Sequence, residues 1–179
     1  MNYCSHCGAK VELKVAPGDR LPRYICDACG TVHYENPKMV VGAIPEWEGN
    51  ILLCRRAIEP RHGLWTLPAG FMENHETTAQ GAMRETSEEA NARVEIIALY
   101  TLYNLPHISQ VHLFYRSRLL DLDFMPGSES LEVALFSEEN MPWKDLAFTS
   151  VRNTLRHFFK DRRSGDFGLH TGDLSPQRK

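Results

Sequence analysis

Two pairs of closely spaced cysteines constrain the first thirty residues of this 179-residue chain more than any other feature. Cys4 and Cys7 form one pair, Cys26 and Cys29 form the other, and a glycine follows each pair directly. Four thiolates satisfy the tetrahedral preference of Zn²⁺, and the glycines allow tight turns that bring both sulfurs of a pair to one ion. The pattern therefore predicts a structural Zn²⁺ site in a small ribbon. The alternative is two disulfides, which a reducing compartment disfavours.

The composition is that of an ordinary globular protein. Hydrophobic residues make up 42% of the chain and charged residues 24%, with a formal net charge of -3, so nothing attracts the whole chain to nucleic acid or an anionic membrane. No signal peptide is visible, and the longest apolar run, at 39–44, is far too short to span a bilayer. We therefore expect a cytoplasmic protein with no nucleic-acid or membrane partner. The fifth cysteine, Cys54, lies in an apolar segment and is predicted to be an inert core thiol.

The rest of the chain predicts mixed α and β structure. Apolar patterns predict strands at 39–44, 51–55, 94–103, 110–120 and 132–136, and helices at 77–90 and 151–160. Asn36-Pro37 marks a boundary. We therefore expect a zinc ribbon at 1–36, a main domain at 37–165 and a tail at 166–179. The Gly-, Ser-, Asp- and Pro-containing sequence from Arg162 onward predicts a poorly ordered chain unless a partner chain covers it.

The helix predicted over 77–90 has a signal at each end. Thr77 and Gln80 fit a capping box, and Asn91 suits the left-handed conformation that closes a helix. Residues at three- and four-residue steps predict the side that faces the core, namely Ala79, Met83, Thr86 and Ala90.

Three glutamates of this helix form a second stripe. Glu85, Glu88 and Glu89 recur at i, i+3 and i+4, so their carboxylates converge. Like charges at this spacing weaken a helix, and a hard divalent cation bound through oxygens would offset the repulsion. Taken alone, a Glu-rich helix face is more often a solvated surface.

The surrounding residues favour the metal-binding interpretation, because the whole segment resembles the Nudix box. The residues at matching intervals are Gly70, Glu76, Arg84, Glu85, Glu88 and Glu89. The preceding segment at 64–68 also resembles the lead-in of that family. Asn91 stands where the family usually has glycine, and Thr86 where it usually has an aliphatic residue. The Thr86 hydroxyl could bond back to the preceding helical turn.

Together, the ribbon, the box and the segments at 34–42 and 67–70 resemble the zinc-ribbon branch of the Nudix hydrolases. Within that branch the chain is most similar to FAD and ADP-ribose pyrophosphatases of plastids and bacteria. The resemblance implies an α/β fold, an α/β/α sandwich around a mixed β-sheet, often as a homodimer. It also implies hydrolysis of a nucleoside diphosphate derivative into two phosphate monoesters.

The resemblance also implies roles for individual residues. Mg²⁺ or Mn²⁺ would be held by Glu85, Glu88 and Glu89 with the backbone carbonyl of Gly70, while Glu76 would pair with Arg84. These ions would neutralise charge on the diphosphate and make bound water more acidic.

The residue that accepts the proton from water varies within this superfamily. Glu85 is one candidate, and Glu129 and Glu132 lie outside the box. We favour Glu132, because it begins a strand-like segment similar to the family's equivalent. The alternative is that Glu132 is a surface charge on an edge strand.

The substrate-binding residues are less constrained by the sequence. Arg55 and Arg56 end a predicted strand and could reach a phosphate. Aromatic residues that could stack on a flavin or adenine, with Tyr103 the one we select, are Tyr100, Tyr103, Phe114, Tyr115 and Phe148. Aromatic residues in strands are more often part of the core.

The NADH-cleaving relatives share a Ser-Gln-Pro-Trp-Pro-Phe-Pro signature that is missing after the box here. We therefore expect FAD or ADP-ribose as substrate, giving AMP with FMN or ribose 5-phosphate. One alternative is an NADH pyrophosphatase. Another is a nucleic-acid- or protein-binding module on a Nudix scaffold, although the region between Cys7 and Cys26 carries few basic residues and no interleaved aromatics.

Overall fold

The computed structural model describes residues 1–175, which divide into two compact units at Asn36 and Pro37. In the first unit, β1 (Glu12–Val15), β2 (Pro22–Ile25) and β3 (Val32–His33) form an antiparallel sheet in that order. Residues 176–179 of the predicted tail lie outside the described residues.

A mixed eight-stranded sheet is the framework of the second unit. Its strands are β4 (Lys38–Trp47), β5 (Asn50–Arg56), β6 (Trp65–Thr66), β7 (Ala69–Phe71), β8 (Val94–Leu105), β9 (Gln110–Leu119), β10 (Ser130–Phe136) and β11 (His170–Asp173). The main order is β10-β5-β4-β9-β8-β11, while β6 pairs with β5 and β7 pairs with β4. The β4–β9 and β8–β11 pairs are parallel, and the remaining pairs are antiparallel.

Two helices, α1 (Thr78–Ala90) and α2 (Thr149–Ser164), cover opposite faces of this sheet. Successive side chains of a strand point to opposite faces, and β9 shows the division. Leu113 and Tyr115 pack in one cluster with Ala82 of α1, whereas Phe114 packs in another with Phe158 of α2. The predicted α/β/α sandwich is therefore confirmed. Within residues 1–175, neither helix is long and apolar enough to cross a membrane.

Both ends of α1 have the predicted caps. The Thr77 hydroxyl accepts a hydrogen bond from the Gln80 backbone N–H, and the Gln80 side chain accepts one from the Thr77 N–H. Asn91 closes the helix in the left-handed region, with φ of 50°. The Thr86 hydroxyl donates to the Ala82 carbonyl at 2.7 Å. The threonine that replaces the family's usual aliphatic residue is therefore buried with its hydroxyl hydrogen-bonded within the helix.

The buried face of α1 agrees with the predicted stripe at Thr86 and Ala90, which are fully buried, and differs from it at Met83. Met83 is 37% exposed, whereas Glu85 and Glu89 are buried. The reason is a close approach at Gly81, where a Cβ would lie 2.8 Å from the Val41 side chain of β4. The glycine side of the helix faces the sheet, and this rotation carries two carboxylates inward.

The C-terminal segment also differs from the prediction of poor order beyond Arg162. Helix α2 continues to Ser164 and is closed by Gly165 in the left-handed region. Strand β11 then pairs in parallel with β8, with His170 opposite Thr101 and Asp173 opposite Asn104. This order comes from backbone pairing with a strand about seventy residues earlier, which local composition does not reveal.

Candidate active site

A cleft of about 1270 Å³ contains the box glutamates. Glu85, Glu88 and Glu89 of α1 line one end, together with Gly70 of β7 and Glu129 from the loop before β10. The fold therefore brings together the predicted metal ligands and a fourth carboxylate from a separate segment.

The backbone of β7 lies directly against the glutamates of α1. A Cβ at Gly70 would lie 2.3 to 2.4 Å from the Glu85 carboxylate, so only glycine leaves space for that group. The neighbouring Ala69 N–H donates to Glu89 Oε2 at 3.3 Å. Strand and helix together thus form an oxygen-lined cradle.

Arg84 connects the carboxylates of the helix and the preceding loop. Its Nε and Nη2 donate to both oxygens of Glu76, at 3.0 and 2.8 Å. Its Nη1 donates to Glu85 at 2.7 Å and to Glu88 at 3.1 Å. The predicted Glu76–Arg84 pair is therefore present, and its hydrogen bonds lower the pKa of Glu76 to about 2. Arg84 also reduces the repulsion between Glu85 and Glu88.

Burial makes two of the carboxylates difficult to ionise. Desolvation, and then the charge of Glu85, raise the pKa of Glu89 to about 8. Burial also raises the pKa of Glu85, although Arg84 opposes this shift. Carboxylate and carbonyl oxygens, without nitrogen or sulfur donors, match the preference of hard divalent cations. The residues present therefore fit a Mg²⁺ or Mn²⁺ site.

The two candidate bases outside the box have different positions. Glu129 lines the cleft, and its charge contributes to the raised pKa values of Glu85 and Glu89. Glu132 lies on β10, where its carboxylate is 3.5 Å from Arg55 Nη1, and it does not line the cleft. The geometry thus favours Glu129 over the Glu132 that we selected from sequence.

The three predicted substrate-binding residues also separate. Arg56 lines the cleft, with its guanidinium 5.1 Å from the Phe148 ring centroid and its Nε donating to the Pro60 carbonyl. Arg55 instead donates to the Gly63 carbonyl and pairs with Glu132, outside the cleft.

Tyr103 does not line the cleft and is only 3% exposed. It lies beside α2 and Gly172, and burial raises the pKa of its hydroxyl to about 12. A substrate cannot stack on a ring in this position. Of the five aromatic residues considered from sequence, Phe114 and Phe148 line the cleft.

Sequence reasoning missed a further polar group that lines the cleft. His112 of β9 is buried; its Nδ1 lies 3.0 Å from the Ser150 hydroxyl and its Nε2 lies 2.9 Å from Gln110 Oε1. An amide oxygen only accepts, so Nε2 carries the proton and Ser150 donates to Nδ1. Burial lowers the pKa of His112 to about 4, so the ring is neutral at pH 7. A histidine within the apolar run 111–115 was the available signal.

The four cysteines of the first unit form a separate cluster. Their sulfurs lie within 4.8 Å of one another, with Cys4 and Cys29 at 3.7 Å and Cys7 and Cys26 at 3.5 Å. Tetrahedral Zn²⁺ with bonds of about 2.3 Å requires sulfurs about 3.8 Å apart, so the cluster fits this ion. None of the four forms a disulfide.

Turns and a histidine position these sulfurs. Gly8 and Gly30 have φ of 75° and 72°, and their N–H groups donate to the carbonyls of Cys4 and Cys26. His33 Nε2 lies 3.3 Å from the Cys4 sulfur, so this histidine supports the cluster from outside. Cys54 is buried elsewhere, and burial raises the pKa of its thiol, as expected for an inert core residue.

Comparison with known proteins agrees with this arrangement. Residues 36–161 match the NUDIX domain family, and residues 2–35 match the zinc ribbon described as Nudix N-terminal. The chain belongs to the Nudix hydrolases. As a Nudix hydrolase it is a pyrophosphatase that acts on nucleotide derivatives and uses a divalent metal ion.

One solved structure resembles this Nudix hydrolase along almost its whole length. A NUDIX hydrolase from Nitrosomonas europaea shares 57% identity over 98% of this chain and 100% of its own, with a TM-score of 0.96.

Two curated relatives suggest different substrates. An ADP-ribose pyrophosphatase from Methanocaldococcus jannaschii is 30% identical over 119 residues, which is 64% of this chain and 69% of that protein. An NAD-capped RNA hydrolase from Chromobacterium violaceum is 26% identical over 158 residues, which is 87% of this chain and 57% of that protein. The Nudix hydrolase described here thus spans just over half of the second relative.

Proposed function

We propose that this Nudix hydrolase cleaves the diphosphate bond of ADP-ribose or FAD, releasing AMP with ribose 5-phosphate or FMN. The observation that carries the proposal is a cleft lined by two chemically different sets of side chains. Carboxylates of α1 form one set, where cations would meet a diphosphate, and the neutral His112 and Ser150 belong to the other. A diphosphate with an uncharged sugar or ring beyond it matches this division.

The side chains of the cleft suggest how the reaction proceeds. Bound divalent cations would neutralise the diphosphate and make a coordinated water more acidic. Glu85, Glu88 and Glu89 would hold them, with the Gly70 carbonyl. Arg84 keeps the glutamates of α1 in place through its fixed fork of donors.

Two further residues would act on the substrate itself. Glu129 would accept the proton of the attacking water, since it lines the cleft and its charge acts on both Glu85 and Glu89. Arg56 would orient a phosphate, because its guanidinium is held against Phe148 at the cleft wall.

The relative from Methanocaldococcus jannaschii supports ADP-ribose by its name. A second candidate is an NAD-type dinucleotide, free or at an RNA end, because the match to the NAD-capped RNA hydrolase extends over 87% of this chain. The missing Ser-Gln-Pro-Trp-Pro-Phe-Pro signature favours the first candidate. We also propose that the protein acts as a homodimer, as the resemblance implies.

A product assay distinguishes these candidates. Purified protein is incubated with ADP-ribose, FAD, NADH, NAD-capped RNA and nucleoside triphosphates, each with Mg²⁺ and with Mn²⁺, and AMP is quantified by chromatography. We expect the highest kcat/KM for ADP-ribose or FAD and no product in EDTA. A kcat/KM for NADH or capped RNA well above both would contradict the assignment.

A further inference from the structure

We infer that Leu174 and Ser175, the two residues directly after β11, form a specificity-determining wall of the substrate cleft, selecting the half of the substrate remote from the carboxylates. Leu174 and Ser175 line the same cleft as the box glutamates. The inference rests on the proposed diphosphate hydrolysis, because it assumes that the diphosphate occupies the carboxylate end.

The strand order places this wall far from the carboxylates. From β7, which carries Gly70, the sheet continues through β4, β9 and β8 to β11. Four strand spacings of about 4.8 Å separate β7 from β11 by roughly 19 Å. That distance is long enough for the second half of a dinucleotide-like substrate to lie between them.

The distal end has the chemistry of a pocket for an uncharged ring. Leu174 lines it with Leu105 and Ile108, while His112 and Ser150 supply polar atoms. Because the His112 imidazole is neutral, these five residues offer hydrogen bonds and apolar contact.

The position of β11 is fixed from two sides. The Leu174 N–H donates to the Asn104 carbonyl of β8 at 2.8 Å, so the backbone pairing continues into the cleft wall. Asp161 of α2 accepts hydrogen bonds from the Tyr100 hydroxyl at 2.8 Å and from His170 Nε2 at 2.6 Å. His157 stacks on the His170 ring, with centroids 3.9 Å apart. His170 is thus a positioning residue that acts through β11.

Substitutions at Leu174 and Ser175 test the inference by separating effects on KM from effects on kcat. Leu174→Glu introduces a charge into the distal wall, and Ser175→Glu does so at an exposed position where folding is not at risk. For each we expect KM for ADP-ribose to rise about 10-fold or more while kcat stays within about twofold of wild type. The reason is that the lost contacts stabilise the bound substrate and the transition state equally. The Mg²⁺ concentration for half-maximal activity should not change. Thr171→Glu is the matched control, because Thr171 is an exposed β11 residue outside the cleft.

The positioning role of His170 has its own test. His170→Ala should raise KM in the same way. In His170→Gln, whose amide can still donate to Asp161, KM should lie close to the wild-type value. Wild-type KM in both glutamate variants would overturn the inference, as would an equal effect in Thr171→Glu or a changed Mg²⁺ requirement.

Failure of the proposed function would look different. A wild-type protein that cleaves neither ADP-ribose nor FAD would contradict the substrate assignment alone. The KM comparison is then made on the nucleotide that the wild-type protein does cleave.

Discussion

Glu85, Glu88 and Glu89 lie on one helix, yet the same substitution at each has different physical consequences. The Glu88 side chain is 59% exposed and bonds to Arg84 alone among described residues. Glu89 is buried, and its charge helps to raise the pKa of the Cys54 thiol. A substitution at Glu89 therefore changes a buried environment in addition to removing a proposed metal ligand. Glu88 is the better probe of metal binding, because its side chain is exposed.

At the residue scale, Glu129 and Glu132 form a matched pair. We expect Glu129→Gln to lower kcat about 100-fold or more, in the range of general-base contributions, with little change in KM. Glu132→Gln makes the same chemical change outside the cleft and should retain activity close to wild type. Steady-state kinetics with Mg²⁺ measures both. The reverse ranking would restore Glu132 as the base.

The position of Glu132 outside the cleft shows what a sequence pattern does not contain. The box spacing predicted which helix residues converge, because helical geometry relates spacing to direction. Outside the helix, a register shift between Ser130 and Glu132 interrupts the pairing of β10 with β5. Such a bulge changes which side chain faces the cleft, and Glu129 stays in the loop that reaches it.

His112 gives a pH dependence with a defined sign. Its folded pKa of about 4 lies below the ordinary 6.5, so the unfolded chain binds more protons between these values. Its contribution to stability is therefore complete above pH 6.5 and is lost as the pH falls toward 4. Denaturant unfolding across this window should show a steeper loss for wild type than for His112→Gln. Parallel curves would mean that His112 is not buried as a neutral ring.

At the scale of elements, α1 shows how tertiary packing changes a correct local prediction. The caps at Thr77 and Asn91 follow from local hydrogen bonding, which sequence reveals directly. The buried face followed the predicted stripe in part: Thr86 and Ala90 are buried, but Met83 is 37% exposed. Gly81 approaches β4 closely, and Glu85 and Glu89, four and eight residues further on, are buried on the same side of the helix.

The cysteine cluster can be tested as an element of its own. We expect about one zinc ion per chain by elemental analysis, bound by the first unit. Cys26→Ser should lower the zinc content strongly and loosen residues 1–36, because a buried ligand is lost. Cys54→Ala, which removes the cysteine outside the cluster, should keep zinc at the wild-type level. Zinc-free wild-type protein, or loss of zinc in Cys54→Ala, would contradict the assignment.

At the scale of the whole molecule, the sandwich was predictable and its last strand was not. Strands β4, β5, β8, β9 and β10 appeared as apolar segments, with bounds that differ by a few residues. Strand β11 reads His-Thr-Gly-Asp, a composition typical of loops. Its order depends on β8 and Asp161, so only the assembled fold reveals it.

Divalent cations should stabilise the whole molecule. Buried Glu85 and Glu89 are costly to ionise, as their raised pKa values show, and a cation that binds the folded state shifts unfolding by mass action. We expect Tm to rise with Mg²⁺ or Mn²⁺ beyond the effect of NaCl at equal ionic strength. In Glu88→Gln this rise should shrink, and kcat should fall by orders of magnitude. An undiminished rise together with near wild-type turnover would remove the proposed metal site.

Gly127 joins the loop that carries Glu129 to the last turn of α1. Its N–H donates to the Glu89 carbonyl at 2.9 Å, and a Cβ there would lie 1.7 Å from the Glu88 carbonyl oxygen. The loop therefore packs directly against the last turn of α1, without a gap. The conformational entropy of bringing carboxylates from two distant segments together is lost once, during folding, and not again at every turnover. The activation entropy of this enzyme should therefore include little cost for bringing its carboxylates together. Adaptation to different substrates should be confined to the part of the cleft near Leu174 and Ser175.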